Sequence, residues 1–238
     1  MALLELDDVS RSFGSVVVAD HLSYSVEAGD AIGIVGPNGA GKTSMLNLIC
    51  GNLAPDQGRI LYDGRDITTM PVHARARAGI ARTFQIPRPF TGMTVFENVL
   101  VGASHSAGES ADQRAAGALA RVGLLRFANT PAGALTLLDR KRLDLARALA
   151  TTPRLLLLDE IAGGLTEPEV DVLTALIREL RTMGLAIIWI EHIVGALVSV
   201  VDRLLATNFG RLLAEGPPRD VLANPEVQSI YLGRGISG

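Results

Sequence analysis

The sequence predicts an α/β fold, with a mainly parallel sheet and helices on both of its faces. Three observations carry the prediction. Short apolar runs at 31–35, 155–158 and 185–190 have the length and composition of buried strands. Helical segments alternate with them, as at 111–122, 140–150 and 167–183. One strand passes through a glycine-rich loop straight into a helix, the start of a βα unit.

Residues 3–26 alternate in the strand manner and turn at Phe13-Gly14-Ser15, which predicts an N-terminal antiparallel β region. Ala31-Ile32-Gly33-Ile34-Val35 enters the loop Gly36-Pro37-Asn38-Gly39-Ala40-Gly41-Lys42-Thr43, and a helix leaves it over 44–50. The loop fits G-x-x-x-x-G-K-[ST], a phosphate cradle. Its glycines let successive backbone N–H groups turn inward on an anion, and the next helix aims its positive end at the same point. Lys42 can reach the β- and γ-phosphates, and the Thr43 hydroxyl can ligate Mg²⁺.

Turn formers fill 52–58, and Arg59-Ile60-Leu61-Tyr62 before Asp63-Gly64 predicts another strand. A short helix is expected at 74–78 and a strand over 79–84 that stops at Gln85. The composition then changes. Pro87, Pro89 and Gly92 make an irregular link, a helical section starts at 94–101, and small polar residues predict a loop over 102–109. Helices follow at 111–122 and 140–150, the second capped by Asp139 or a neighbour. Pro153 ends that section, and the strand at 155–158 finishes in Asp159-Glu160. Pro168 lies in the first turn of the helix at 167–183, which Gly184 stops. After the strand at 185–190 come a helix from Ile193, paired strands at 203–207 and 211–215, and two short helices at 219–224 and 225–232.

Composition bounds the partners. The chain has 238 residues, is 48% hydrophobic and carries a formal net charge of −3, which argues against a nucleic-acid partner. Cys50 is the only cysteine, so no disulfide framework or cysteine-rich metal site is available, as suits a reducing compartment. The N-terminal residues lack the basic and apolar regions of a signal peptide, and no apolar run is long enough to span a bilayer. The reading is a protein soluble by itself, with any membrane role supplied by a partner.

The second half of the site is acidic. Ligands of such sheets bind beyond the strand C-termini, so the phosphate loop and Asp159-Glu160 can share one edge. Asp159 can bind Mg²⁺ directly or through water. Glu160 is then placed to orient or deprotonate an attacking water. A further buried strand ends at Glu191-His192, which brings His192 to the same edge.

At this point the chain resembles the P-loop NTPases, and specifically the ATP-binding subunits of ABC transporters, over nearly its whole length. Residues 36–43 resemble Walker A, with Ser44 beside them, and 155–160 resemble Walker B with its catalytic glutamate. The resemblance implies ATP and Mg²⁺ as ligands. It implies that Gln85 is the Q-loop glutamine, at the metal and nucleotide, that His192 is the switch histidine and that Phe13 stacks on adenine. It makes Lys42, Glu160 and His192 the catalytic set, with Thr43, Gln85 and Asp159 at the metal. One domain over 1–238 follows, with a nucleotide core at 1–84 and 152–238 and an inserted helical subdomain at 85–151.

A narrower resemblance lies in Arg82-Thr83-Phe84-Gln85, Pro89-Phe90, Met93 to Val99, Trp189-Ile190-Glu191-His192, and the ending Glu215-Gly216-Pro217-Pro218 to Tyr231-Leu232-Gly233. These strings are similar to the branched-chain amino-acid importers, and the urea and short-amide importers share much of them. Two further readings stay open: a soluble ABC ATPase outside transport, and a regulatory subunit that binds ATP with weak turnover.

The departures fall elsewhere. Where the family usually has L-S-G-G-Q, facing a partner's ATP, this chain has Leu135-Thr136-Leu137-Leu138-Asp139. Leucine replaces glycines that let backbone approach phosphate closely. Ile161 replaces a proline, and Gly164-Leu165-Thr166 stands where the family usually ends in Leu-Asp. The resemblance implies a dimer with a second cassette, of the same or a related chain. It implies integral-membrane permease subunits as partners, a solute-binding protein indirectly, and a peripheral place on the cytoplasmic face of the inner membrane. The altered stretch predicts that the ATP site it completes is the slower one.

Overall fold

The computed structural model describes residues 2–104 and 110–232. The chain opens with the hairpin β1 (Leu4–Phe13) and β2 (Val16–Val26), then β3 (Ala31–Val35), helix α1 (Lys42–Cys50), β4 (Gln57–Tyr62) and the two-residue β5 (Arg65–Asp66). Next come α2 (Val72–Arg77), β6 (Ile80–Arg82), α3 (Val95–Ala103), α4 (Ala111–Arg121) and α5 (Leu137–Leu149). The last part runs β7 (Leu155–Asp159), α6 (Glu167–Thr182), β8 (Ala186–Ile190), α7 (Val194–Val198), β9 (Arg203–Asn208), β10 (Arg211–Gly216), α8 (Pro218–Ala223) and α9 (Pro225–Leu232).

Two sheets form. One is antiparallel, in the order β2-β1-β4-β5. The other has the order β10-β9-β3-β8-β7-β6, parallel from β9 to β6, with β10 antiparallel at its edge. The apolar runs are unbroken because both faces of the parallel sheet are buried. Leu155, Leu157, Ile188 and Ile190 pack with α1 and the antiparallel sheet, while Leu156, Leu158, Ile187 and Trp189 face the layer that includes α5 and α6. Parallel pairing sends the exits of β3, β6, β7 and β8 to one edge, which sets the place of the site.

Several boundaries differ from the sequence reading. Helix α5 starts at Leu137 rather than Arg140, and its cap is Thr136 rather than Asp139. The Thr136 hydroxyl accepts the Asp139 backbone N–H at 3.2 Å, and Asp139 pairs with Arg142 instead. The loop expected from Gly102 begins later, since α3 runs through Ala103; residues 105–109 lie outside the described residues. A Cβ on Gly102 would stand 2.6 Å from the Arg147 carbonyl, so this glycine serves a close approach of α3 to the end of α5, not a turn. The Thr94 hydroxyl and the Glu97 carboxylate form a reciprocal box at the start of α3, sharper than composition alone suggests. The strand at β6 is shorter than the predicted 79–84, and α2 starts two residues early.

Candidate functional site

The phosphate loop leaves β3 and ends at Gly41, which has φ 92° and caps α1. A Cβ there would lie 2.2 Å from the Val18 carbonyl of β2, so only glycine fits. The first turn of α1 has no acidic side chain, so the positive end of the helix is left available to an anion at the loop. Lys42 is buried, and its Nζ donates to the carbonyls of Gly36 at 2.8 Å and Pro37 at 3.0 Å. Asn38 and Gly39 are exposed at the crown of the loop, Ala40 is buried beneath it, and Ser44 follows Thr43 into the helix.

The Thr43 hydroxyl donates to Asp159 Oδ1 at 3.4 Å, which places two hard oxygens side by side at the ends of the loop and of β7. Among the described residues no group of three or more His, Cys, Asp or Glu could hold a metal without help. One carboxylate beside one hydroxyl fits Mg²⁺, which keeps waters and takes its remaining ligands from substrate phosphates. Asp159 Oδ2 accepts from Arg82 Nη2 at 2.7 Å, and Arg82 Nη1 donates to Asn47 Oδ1 of α1 at 2.6 Å.

Glu160 stands one residue past β7 at φ 46°, a left-handed conformation for a side-chain-bearing residue. Its N–H donates to the Ile190 carbonyl of β8 at 2.9 Å. Its carboxylate accepts twice: Gln85 Nε2 at 2.6 Å on Oε2, and His192 Nε2 at 2.8 Å on Oε1. The imidazole tautomer is thereby set with its proton on Nε2. Gln85, Glu160 and His192 thus converge from the exits of β6, β7 and β8. Gln85 is held from behind, its carbonyl accepting from Lys141 Nζ at 3.1 Å.

Glu191 lies beneath this cluster, 3% exposed, with Oε2 unpaired. Burial, with the charge of Glu160, pushes its carboxyl up to about 7; the Ala162 N–H and the charge of Lys141 oppose the rise.

Phe13 ends β1 half exposed, with the Arg11 guanidinium 4.8 Å from its ring centre, on the hairpin whose Val18 backs the phosphate loop. Leu135 is buried, Thr136 caps α5, and Leu137 and Leu138 are its first two residues. Both leucines are absent from the positive-φ positions, so they sit without backbone strain. Leu137 Cδ2 would be 3.3 Å from a Cβ at Gly164, in the loop that follows Glu160. Sequence reasoning missed Arg82, Asn47, Lys141 and Glu191. Arg82, Asn47 and Glu191 signal themselves only as polar residues inside apolar segments, Lys141 is hidden in the charged run Asp139 to Arg142, and their partners lie far away in the chain.

A phosphate cradle, a hard-oxygen pair and an acid held by two polar side chains, on one edge of a parallel sheet, define a nucleotide-hydrolysing cassette. The comparisons agree. Residues 19–163 match the family model described as ABC transporter, and 211–236 match the one described as Branched-chain amino acid ATP-binding cassette transporter. The high-affinity branched-chain amino acid transport ATP-binding protein BraF of Pseudomonas aeruginosa is 36% identical over 97% of this chain and 98% of its own length. LivG of Salmonella typhimurium, named for the same transport, is 36% identical over the same shares. Among solved structures, a nucleotide-free ATP-binding cassette from an ABC transporter superposes with TM-score 0.89 at 31% identity, over 97% of this chain and 99% of that one. A cassette in its ADP conformation gives 0.90 at 30%, over 98% and 99%. The chain belongs to the ABC transporter family of ATP-binding subunits, and it is an ABC ATPase.

Proposed function

We propose that this chain is the ATP-hydrolysing subunit of an importer for branched-chain amino acids. The observation that carries the hydrolytic role is the Glu160 carboxylate gripped by Gln85 and His192 beside the Lys42 loop. The amino-acid class is supported by the match over 211–236 and by relatives named for that transport.

In this reading Lys42 and the loop N–H groups bind the triphosphate, and Phe13 stacks on the base. Thr43, Asp159 and Gln85 would hold Mg²⁺, which neutralises phosphate charge when bound. Glu160 takes the proton of, or orients, the attacking water, and His192 fixes the direction of that acid. The chain divides into a nucleotide core over 1–84 and 152–238 and a helical subdomain over 85–151.

No helix among the described residues is long and apolar enough to cross a membrane. Attachment at the cytoplasmic face of the cell membrane therefore runs through integral-membrane permease subunits. The half-exposed Phe84, Ile86, Phe90 and Met93 supply an apolar docking surface around Gln85. A second cassette, of the same or a related chain, completes each ATP site, and a solute-binding protein delivers cargo indirectly. ATP favours the closed pair and hydrolysis releases it, because ligand binds the two states unequally. The leucines at 137 and 138 favour a pair with unequal ATP sites.

The test is reconstitution with the permease subunits in proteoliposomes. ATP-driven leucine uptake is expected, abolished by Lys42→Ala. ATPase activity absent with and without permease would sink the hydrolytic reading. Uptake of urea but not leucine would replace the solute class.

A further inference from the structure

We propose that Arg82 is a positioning residue of the hydrolytic site, holding Asp159 against the phosphate-loop helix and linking it to the exposed ring of Phe84. This rests on the ATPase reading above. Arg82 closes β6, paired with Leu157 of the neighbouring β7. Its side chain is 7% exposed and that of Asp159 is 6% exposed, so the pair is shielded from water and from salt. The planar guanidinium uses two arms. One reaches Asp159 Oδ2 at 2.7 Å and the other Asn47 Oδ1 at 2.6 Å, on α1 one turn beyond Thr43. The Asp159 oxygens are thereby divided, Oδ2 to Arg82 and Oδ1 to Thr43 at 3.4 Å.

A buried carboxylate needs a counter-charge in any case. A lysine would supply that charge. It would not supply the fork that ties two elements together at fixed angles. The segment carrying Arg82 also reaches the neighbouring acid: Arg82 grips Asp159, and Gln85, three residues on, grips Glu160. Between them stands Phe84. It is 50% exposed, its ring centre lies 5.2 Å from the Arg82 guanidinium carbon, and its N–H donates to Asp144 of α5 at 3.0 Å. A partner that presses on Phe84 therefore acts on the group holding the metal-facing carboxylate.

The experiment measures affinity for a fluorescent ATP analogue by equilibrium titration, once in EDTA and once in Mg²⁺, with no turnover readout. For Arg82→Lys, affinity in EDTA is expected within about twofold of the parent, while the enhancement by Mg²⁺ falls about tenfold, the usual cost of losing an outer-shell partner. Phe84→Ala is expected to lose about threefold of that enhancement, as suits a lost ring–cation contact. Asn47→Ala removes one arm's partner and keeps both charges, so it carries the test if Arg82→Lys does not fold, with the same loss expected. Parental Mg²⁺ enhancement in folded Arg82→Lys, or in Asn47→Ala, overturns the proposal. An unchanged Phe84→Ala overturns the link to the surface. A parent that binds no nucleotide refutes the ATPase reading instead, so the two failures are distinct.

Discussion

Gln85 Nε2 donates to Glu160 Oε2 at 2.6 Å, and His192 holds the other oxygen at 2.8 Å. The acid is aimed by two side chains rather than left to rotate. Glu160→Gln keeps its shape and much of its hydrogen bonding but cannot take a proton. It should bind ATP normally and lose about 10²- to 10⁴-fold in turnover. Phosphate release together with nucleotide titration checks this, and near-parental hydrolysis would remove Glu160 from its role.

Leu137 and Leu138 open α5, and Leu137 Cδ2 would lie 3.3 Å from a Cβ placed on Gly164. On the proposed dimer reading, their side chains would stand where a partner's ATP approaches this end of α5. The double variant Leu137→Gly, Leu138→Gly should raise turnover in the assembled transporter, at a stability cost of about 1 kcal/mol per site in helix propensity and a further loss of packing at Leu138, which is partly buried against the core. Steady-state ATPase compared with the parent decides it, and equal rates count against a slow site.

Arg75 of α2 is buried and donates to the carbonyls of Leu48, Ile49, Thr68 and Met70. Two of these belong to the last turn of α1, so Arg75 closes the C-terminal end of the phosphate-loop helix. Arg75→Ala should cost at least ~3 kcal/mol, since several buried acceptors lose their donor together. Arg75→Lys should recover only part, because one ammonium cannot reach four carbonyls. Urea unfolding curves measure both.

Glu191 makes stability depend on pH. Its folded carboxyl titrates at about 7 against the usual 4.5, so the native state holds a proton that the unfolded chain releases earlier. Its contribution therefore falls as pH rises from about 4.5 to about 7, and it is flat above. Glu191→Gln should remove that slope and gain roughly 3 kcal/mol over the parent at pH 8 relative to pH 4.5, the free-energy equivalent of the shift. Denaturation at four pH values across the window tests it. Parallel profiles for the two proteins would show that Glu191 is not the titrating group.

Much of the fold was legible because the central strands are buried on both faces. Runs such as 155–158 carry their own signal, and the phosphate loop fixes where strand gives way to helix. Glycine was the less faithful guide. Gly102 reads as a loop former, yet it is a contact surface inside α3, and no local pattern shows Arg147 waiting across the interface. The start of α5 was misplaced for a related reason. Thr136 lies within a string read by comparison with glycines, which hid an ordinary cap. Within the site, Lys42, Thr43, Asp159, Glu160 and His192 announce themselves by following strands or loops. Arg82 does not, because its two anchors lie 35 residues before it and 77 after it.

The backbone of Glu160 has one last implication. At φ 46° a side-chain-bearing residue is held in a region that glycine occupies freely, a disfavour of roughly 1–2 kcal/mol. Relief of strain and usefulness thus pull in opposite directions at this one codon. Glu160→Gly would release that strain but also delete the bonds from Gln85 and His192, so its melting temperature should move little while its turnover falls steeply.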